Sequence, residues 1–477
     1  MKTIIFGAGN YAKRLFEYLY ARDKAKDLVC FAVSDTTSNP ESLYGFPVKS
    51  IQEFEEYIDD YYVYFALNPV LIDEAKGIIS LCKKQNYSIV SQKDFKDLIR
   101  RTEEVMYLLD IQDDLIFISC FQGQGYKCNM KYLSEYIRHS GKKLNVVWNI
   151  RPEFMDGNGV PDDIKLVERR TIEYRRALHT ARVIVTNDEM LELRYKKKGQ
   201  YIINTWHGTG PFKKVNASDY QKSHRTLDYL DQLRGQQQRF DLYVSNSKDN
   251  TEMFRKSFLY CGEIAEWGSP RNDILFSYTE EMADSIRAKL GIPKENGVVL
   301  YAPTFRESTV ESYSKYDIDP KSITDALKDK YNKEFSLLYR YHHHLYHAGK
   351  SDNLTDKGID VTDYLDIMEL LVISDVVVTD YSSVMWDFSL LRRPVFLYQP
   401  DLDDYIKSDR DFYWPVEEWP YPRAGTMAKL CEIIKNFDDS IYQKELSEFF
   451  KKDPSFDDGH ACERLFKRIC EKCFPNA

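Results

Sequence analysis

No apolar run in this sequence approaches the roughly 20 residues that a helix needs to cross a bilayer. The opening stretch MKTIIFGAGN has neither the apolar core nor the small-residue cleavage site of a secretory signal, so a cytoplasmic location is expected. Positive charge is in deficit: 66 Lys and Arg against 75 Asp and Glu give a net charge of −9. General nucleic-acid affinity needs a basic surface and is not expected. The nine cysteines follow no repeating frame, which fits reduced thiols and argues against a disulfide scaffold. Cys470 and Cys473 form a lone CxxC with His460 and Cys462 upstream, but a zinc site needs four ligands on a tight frame, so helix-face cysteines are the plainer reading. Nucleophile elbow, Walker loop, HExxH, internal repeat, low-complexity tract and heptad run are all missing.

What is present is a soluble globular chain of 477 residues, 43% hydrophobic and 30% charged, long enough for two to four domains. Lys2–Phe6 reads as a buried strand, followed by a turn with Gly7 and Gly9, then Ala12, Leu15, Phe16 and Leu19 at helical spacing. A second strand, Leu28–Val33, ends at Asp35. Strand, glycine turn, helix, strand and acid is the order of a dinucleotide-binding unit, with Gly7 and Gly9 at the phosphate turn and Asp35 at the ribose position. A small Rossmann-like domain is therefore expected over residues 1–105, although many such units bind nothing. The charged stretch Ser91–Glu104 reads as its link to the remainder. Strand-like runs at Leu115–Cys120, Leu144–Asn149, Val183–Thr186, Tyr201–Thr205 and Leu242–Ser245 alternate with helical stretches and predict a second α/β domain over 106–290. Val298–Tyr301, Phe335–Tyr339, Val376–Thr379 and Pro394–Tyr398 predict a third over 291–477, helical from about Thr426.

In open α/β sheets ligands bind beyond the carboxyl ends of the strands, and the unusual residues fall there. Ile202–Lys214 (IINTWHGTGPFKK) ends a strand in a turn carrying His207, with Gly208 and Thr209 beside it and lysines behind. Histidine takes a proton near neutral pH, glycine admits a substrate to the backbone, and lysine offers charge to phosphate. Taken alone, the segment is more plainly an ordinary strand end with a hydrogen-bonded histidine. The loop Phe121–Gly125, with Gly123, is flexible by composition. Asp380, Ser382 and Ser383 lie between a strand and a helix-like run, where they read either as phosphate donors or as a plain helix cap. Thr304 and Arg306 in APTFR, and Arg340 and His342 after Phe335–Tyr339, are further donors to anionic oxygen. Consecutive histidines at 342–344 would point to alternate faces, and no carboxylate completes a metal site with His344 and His347, so no metal ligand is assigned.

These segments resemble the CDP-glycerol:poly(glycerophosphate) glycerophosphotransferases, the teichoic-acid primase and polymerase family also found in capsule synthesis. The likeness runs in order through ALHTARVIVTND, NTWHGTGPFKK, FDLYVSNSKDN, GSPRNDIL, VVLYAPTFRE and DYLDIMELLVISDVVVTDYSSVMWDFSLLRRPVFLYQPD, across roughly residues 110–435. The resemblance implies a GT-B-like pair of Rossmann-type domains, here with the additional N-terminal one. It also implies attack by an acceptor hydroxyl on the β-phosphorus of a CDP-polyol, glycerol or ribitol, with release of CMP. His207 then matches the motif histidine that deprotonates the acceptor, with Gly123, Gly208 and Thr209 on the acceptor side. His342 matches the second motif histidine, at the donor pyrophosphate. Ser382 and Ser383 would hold phosphate oxygens, with Thr304, Arg306, Arg340 and Asp380 on the same donor side. No cofactor beyond the donor substrate is implied, and the need for a divalent metal is left open.

The sequence departs from the family form in three places. Gly210 precedes Pro211-Phe212 where HGTPLKK is usual, His343 stands where proline usually follows the second histidine, and the first 100 residues differ from the family's membrane-association region. The acceptor would be lipid-linked or a glycan, and contact with the inner membrane surface would be peripheral, with the basic stretch Arg169–Arg176 as its candidate. Two other classes remain open at this level: a GT-B glycosyltransferase using a nucleotide sugar, and a nucleotide-binding module without turnover. An N-terminal dehydrogenase or epimerase has little room for a substrate domain.

Overall fold

The computed structural model describes the whole chain except residues 156–158, 189–192, 194, 209–212, 220–226, 305–317, 342–357, 409–410 and 476–477. It divides into two compact units, one made of Met1–Gln112, Arg170–Ala181 and Glu192–Gly199, the other of Asp113–Arg169, Arg182–Leu191 and Gln200–Ala477. No helix of the described residues is long and apolar enough to cross a membrane.

The first unit is built on six strands: β1 (Thr3–Phe6), β2 (Leu28–Val33), β3 (Ser42–Leu43), β4 (Phe46–Ser50), β5 (Tyr62–Phe65) and β6 (Tyr87–Ile89), in the order β3-β4-β2-β1-β5-β6. All pairings are parallel except the edge hairpin β3–β4. β1 is buried throughout and apolar from Ile4 onward, as expected of a central strand covered on both faces. Gly7 has φ +124°, and a Cβ there would lie 2.6 Å from the Ala66 carbonyl oxygen, so the turn after β1 needs glycine for packing alone. Ser91–Glu104 is not a link. It lies in a helix, Gln92–Leu108, opened by a reciprocal Ser91/Asp94 capping box and buried through Leu98, Thr102 and Met106. Its charge sits on the solvent face and its apolar stripe on the core, which composition without phase cannot separate.

The second unit holds two sheets. One has seven strands, β7 (Gln112–Ser119), β8 (Asn145–Ile150), β9 (Lys165–Glu168), β10 (Ala181–Thr186), β11 (Tyr201–Asn204), β12 (Leu242–Ser245) and β13 (Glu263–Glu266), in the order β13-β12-β11-β10-β7-β8-β9. The other has six parallel strands, β14 (Gly297–Tyr301), β15 (Phe335–Tyr339), β16 (Ile359–Asp360), β17 (Val376–Thr379), β18 (Val395–Tyr398) and β19 (Arg423–Ala424), in the order β16-β15-β14-β17-β18-β19. Each has its own apolar core, one including Ile116, Trp148 and Val183, the other Val299, Leu338 and Val377. This is the GT-B-like pair of Rossmann-type halves that the resemblance implies. Parallel strands align their carboxyl ends, so the loops after β7, β10, β11, β14, β15 and β17 gather the polar residues.

The chain crosses back once near its end. Helix Asp439–Lys452 packs in the core of the six-stranded sheet, whereas helix Ala461–Cys473 packs Leu465, Phe466 and Ile469 into that of the seven-stranded one. Asp457 lies on the crossing segment, accepting from the Ser269 N–H at 2.6 Å. Burial pushes its carboxyl up to about 7, against the hydrogen bonds it accepts and with help from the charge of Asp387. Burial likewise raises Asp453 to about 6. A raised carboxyl holds its proton more tightly folded than unfolded. Its stabilising contribution is complete below the ordinary aspartate value and disappears as pH rises through the folded value. The melting temperature is therefore expected to fall between about pH 4 and about pH 7, and Asp457→Asn should flatten that slope. A thermal-melt series across that range checks it; an unchanged slope would assign the titration elsewhere.

Candidate functional site

His207 lies three residues past β11, in a turn that its neighbours hold open. Trp206 sits at φ +52°, an uncommon conformation for an aromatic residue. Three groups fix it. The Trp206 N–H donates to Asn204 Oδ1 at 2.7 Å, Asn129 Nδ2 donates to the Trp206 carbonyl at 3.0 Å, and Arg271 Nη1 donates to the His207 carbonyl at 2.6 Å. Asn129, Asn204 and Arg271 are all buried. The His207 ring is flanked by Trp206 and Phe121, with centroids 4.1 and 5.0 Å away.

Among the described residues one hydrogen bond orients the imidazole, Nδ1 to the Asn187 carbonyl at 2.6 Å. A carbonyl oxygen only accepts, so Nδ1 carries the proton and Nε2 of the neutral ring presents its lone pair. Among the described residues nothing is hydrogen-bonded to Nε2. Burial lowers the ring's proton affinity to about 4; the bond to Asn187 opposes that, and the positive charge of Arg271 adds to it. His207 is thus neutral at pH 7 and available to receive a proton at one defined atom.

The loop after β7 packs beside it. The Phe121 N–H donates to Asn187 Oδ1 at 2.8 Å, so a single buried asparagine fixes both Phe121 and His207. Phe121, Gln122 and Gly123 all have positive φ, and a Cβ on Gly123 would come within 3.0 Å of the Arg151 backbone nitrogen. A Cβ on Gly208 would meet the Trp206 indole nitrogen at 3.2 Å. Thr209 lies outside the described residues.

On the other sheet, Asp380 follows β17 directly. Its Oδ1 accepts from the Thr304 N–H at 2.8 Å, the Thr304 hydroxyl at 2.7 Å and the Tyr381 N–H. That carboxylate ties the turn after β14 to the turn after β17. Ser382 and Ser383 come next, both half-buried, ahead of a helix of only six residues, Val384–Ser389. Such a short helix adds little dipole, so donor capacity at this turn comes mainly from the two hydroxyls. Arg340 follows β15; its Nη1 donates to the carbonyls of Val361, at 3.1 Å, and Tyr364. Burial lowers its guanidinium to about 10, with Asp366 and Asp363 opposing, which leaves it charged at neutral pH. Arg306 and His342, with His343, His344 and His347, lie outside the described residues.

Among the polar links between the two halves, two lie beside these turns. Arg271 Nη2 meets Asp387 Oδ2 at 2.7 Å in a buried ion pair, while its Nη1 holds the His207 carbonyl. Lys131 Nζ reaches Asp366 at 2.7 Å and Glu369 at 2.5 Å, and the Tyr132 hydroxyl donates to Asp366 at 2.9 Å. No reading of single residues picked out Asn129, Asn187, Asn204, Arg271 or Asp387. Asp387 had a signal, since a lone acid within the apolar run VMWDFS implies a buried cationic partner.

The remaining candidates are placed elsewhere. In the first unit Asp35 accepts from the N–H and hydroxyl of Thr37, at 2.9 and 2.7 Å, and closes its own turn. Gly9 has open space around the position of a Cβ. Arg175 pairs with Glu17 at 3.3 Å and Arg176 lies over the Tyr20 ring, while Arg169 donates to Gln122 Oε1 at 2.7 Å, so only Arg170 of that basic stretch is exposed. Cys470 and Cys473 are free thiols, and among the described residues no group of three His, Cys, Asp or Glu is placed to hold a metal ion.

Residues 102–471 match the sequence pattern of CDP-Glycerol:Poly(glycerophosphate) glycerophosphotransferase. A teichoic acid poly(glycerol phosphate) polymerase of Staphylococcus epidermidis is 30% identical over 429 residues, covering 85% of this chain; the chain spans 59% of that relative's length. A teichoic acid glycerol-phosphate transferase of Staphylococcus aureus is 31% identical over 369 residues, 75% of this chain and 92% of its own. The solved structure of the wall teichoic acid polymerase TagF superposes with a TM-score of 0.69 at 30% identity, over 79% of this chain and 95% of that one. A histidine-to-asparagine variant of TagF has been solved after soaking with CDPG.

Proposed function

This chain belongs to the CDP-glycerol:poly(glycerophosphate) glycerophosphotransferase family, and from that premise we propose that it transfers a polyol phosphate from a CDP-polyol to an acceptor hydroxyl, releasing CMP. Glycerol phosphate is the first candidate group, and the setting is synthesis of a teichoic-acid-like or capsular polymer. The observation that carries this reading is His207, whose Nε2 lone pair is fixed by the Nδ1 bond to Asn187 beside a loop that brings glycine and aromatic surface to it.

The acceptor hydroxyl gives its proton to His207 Nε2 as its oxygen attacks the β-phosphorus. The new P–O bond forms to the acceptor, and the bond to the bridging oxygen breaks. CMP departs with the bonding electrons and with the negative charge that fixed donors must meet. Ser382, Ser383 and Arg340 are the described groups suited to those oxygens, with Arg306 and His342 assigned to the same task from the family motif. Thr304 and Asp380 act by holding the two donor-side turns together. A bound pyrophosphate adds negative charge near His207 and favours its protonated form during transfer, offsetting the effect of burial. The acceptor is lipid-linked or a glycan, reached from the inner membrane face.

The test is CMP release from CDP-glycerol, CDP-ribitol and UDP-glucose supplied separately with an acceptor mixture. Turnover of one CDP-polyol and none of the sugar nucleotide is expected. Sugar transfer from UDP-glucose would replace this reading with a glycosyltransferase, and donor binding without any turnover would replace it with a nucleotide-binding module.

A further inference from the structure

Lys127 carries a charge that the fold does not use. Only 8% of the residue is exposed, yet among the described residues neither an ion pair nor a hydrogen bond reaches its ammonium. Its surroundings are aromatic, with Nζ 5.5 Å from the Phe121 ring centroid and 6.0 Å from that of Phe154. Asp366, an acid whose charge is felt there, is already engaged by Lys131 and Tyr132. Burial pushes the ammonium toward losing its proton, and the nearby positive charge of Arg340 pushes the same way. A buried charge without a counter-ion weakens a fold, and an apolar side chain of equal length would pack as well. Such a residue signals a ligand that supplies the missing charge.

Its position says which ligand. Lys127 is the N-cap of helix Cys128–His139 and makes no side-chain capping bond, so its ammonium and the first N–H groups of a 12-residue helix both belong to an anion-favouring end. The Phe121 ring under the ammonium also flanks the His207 ring, 5.0 Å away. The next residue, Cys128, accepts through Sγ from Arg271 Nη1 at 3.6 Å, the same nitrogen that holds the His207 carbonyl. The charge therefore stands one aromatic ring from the base and on the same sheet, while the serine hydroxyls assigned to the donor come from the other sheet.

We propose that Lys127 is a phosphate-binding specificity residue on the acceptor side, receiving the phosphate oxygen adjacent to the attacking hydroxyl. An acceptor already ending in a polyol phosphate is then preferred over a neutral glycan end. This assignment rests on the transfer reading above, because it takes His207 as the group that meets the acceptor. A compact ammonium with three donors on a largely buried stem suits one phosphate oxygen, because little of the side chain is left to order on binding.

The experiment compares wild type, Lys127→Met and Lys127→Arg for equilibrium binding of sn-glycerol 3-phosphate, glycerol and CDP-glycerol, with thermal melts alongside. Lys127→Met is expected to bind sn-glycerol 3-phosphate about tenfold more weakly or worse, the size of a lost charge-assisted hydrogen bond. CDP-glycerol affinity should not change, Lys127→Arg should retain most of the binding, and the melting temperature of Lys127→Met should hold or rise. In turnover, KM for a phosphate-ended acceptor rises while kcat and the use of a neutral acceptor stay level. Equal binding of sn-glycerol 3-phosphate by wild type and Lys127→Met overturns the inference whether or not the protein turns over a CDP-polyol. Loss of CDP-glycerol binding instead moves the ammonium to the donor and overturns it too, as does a lowered melting temperature with unchanged ligand binding. If no CDP-polyol yields CMP but glycerol phosphate binding still depends on Lys127, the anion site stands and the transferase reading falls.

Discussion

His207→Asn is expected to lower kcat by about a hundredfold to ten-thousandfold, the usual contribution of a positioned general base. CDP-glycerol binding and the melting temperature should change little. Asparagine keeps an N–H that can donate to the Asn187 carbonyl, so the turn retains its anchor while the Nε2 lone pair is gone. The pH profile carries independent information. Because burial lowers His207 to about 4, the neutral base persists well below the ordinary histidine value of about 6.5. The acid limb of kcat/KM, which reports the free enzyme, should therefore lie nearer pH 4 than pH 6.5 as far as His207 sets it. The limb of kcat should sit higher, since the bound pyrophosphate favours the imidazolium. Steady-state rates with CDP-glycerol from about pH 4 to about pH 8 measure both limbs. A variant with undiminished kcat would remove His207 from proton transfer. A histidine neutral only when folded also stabilises the protein above the unfolded value, a contribution lost as pH falls from 6.5 toward 4. His207→Asn should therefore tolerate that acid window better than the wild type.

Strand and turn residues make much of this architecture readable in the sequence. Leu28–Val33, Leu242–Ser245, Phe335–Tyr339 and Val376–Thr379 are strands over the residues their apolar runs suggest, because a strand buried on both faces is continuous in sequence. Short edge strands escaped, such as Lys165–Glu168 and Glu263–Glu266, where half the residues are charged and pairing rather than burial makes the strand. Ser91–Glu104 was opaque for a related reason, since a one-sided helix with many charges has the composition of a linker. At the site, His207 and the serine pair stand out by chemistry. The groups that aim them do not. Asn187 fixes His207 through a backbone carbonyl and Phe121 through its side chain, and no spacing encodes either partner. Nothing in the spacing around Lys127 marks it, and its burial without a partner among the described residues emerges only in the fold. Long-range pairing of buried polar groups is what single-residue reasoning lacks.

The second large effect belongs to Arg271. Asp387→Ala is expected to destabilise the protein by about 3–5 kcal/mol, because it leaves a buried guanidinium without its counter-ion. Both residues are almost fully buried, 6% and 3% exposed, and the pair is 2.7 Å apart. Burial alone would weaken the guanidinium's hold on its proton, and Asp387 more than offsets this. Asp387→Asn keeps one acceptor oxygen for Arg271 and should lose less. Arg271→Met combined with Asp387→Leu removes both charges, and it should recover much of the stability lost by either single change, as buried pairs replaced by apolar groups commonly do. Denaturant midpoints for the wild type, Arg271→Met, Asp387→Leu and the double variant measure the coupling. Activity should not recover with stability. Arg271 Nη1 also holds the His207 carbonyl, and its backbone N–H donates to Asn129 Oδ1 at 3.0 Å, the asparagine that in turn holds Trp206. The stable double variant is therefore expected to bind CDP-glycerol normally and turn over slowly, because one side chain joins the turn carrying the base to the helix that follows Ser383. Recovery of full kcat together with stability would mean that the pair serves folding alone and that Asn187 suffices to aim His207.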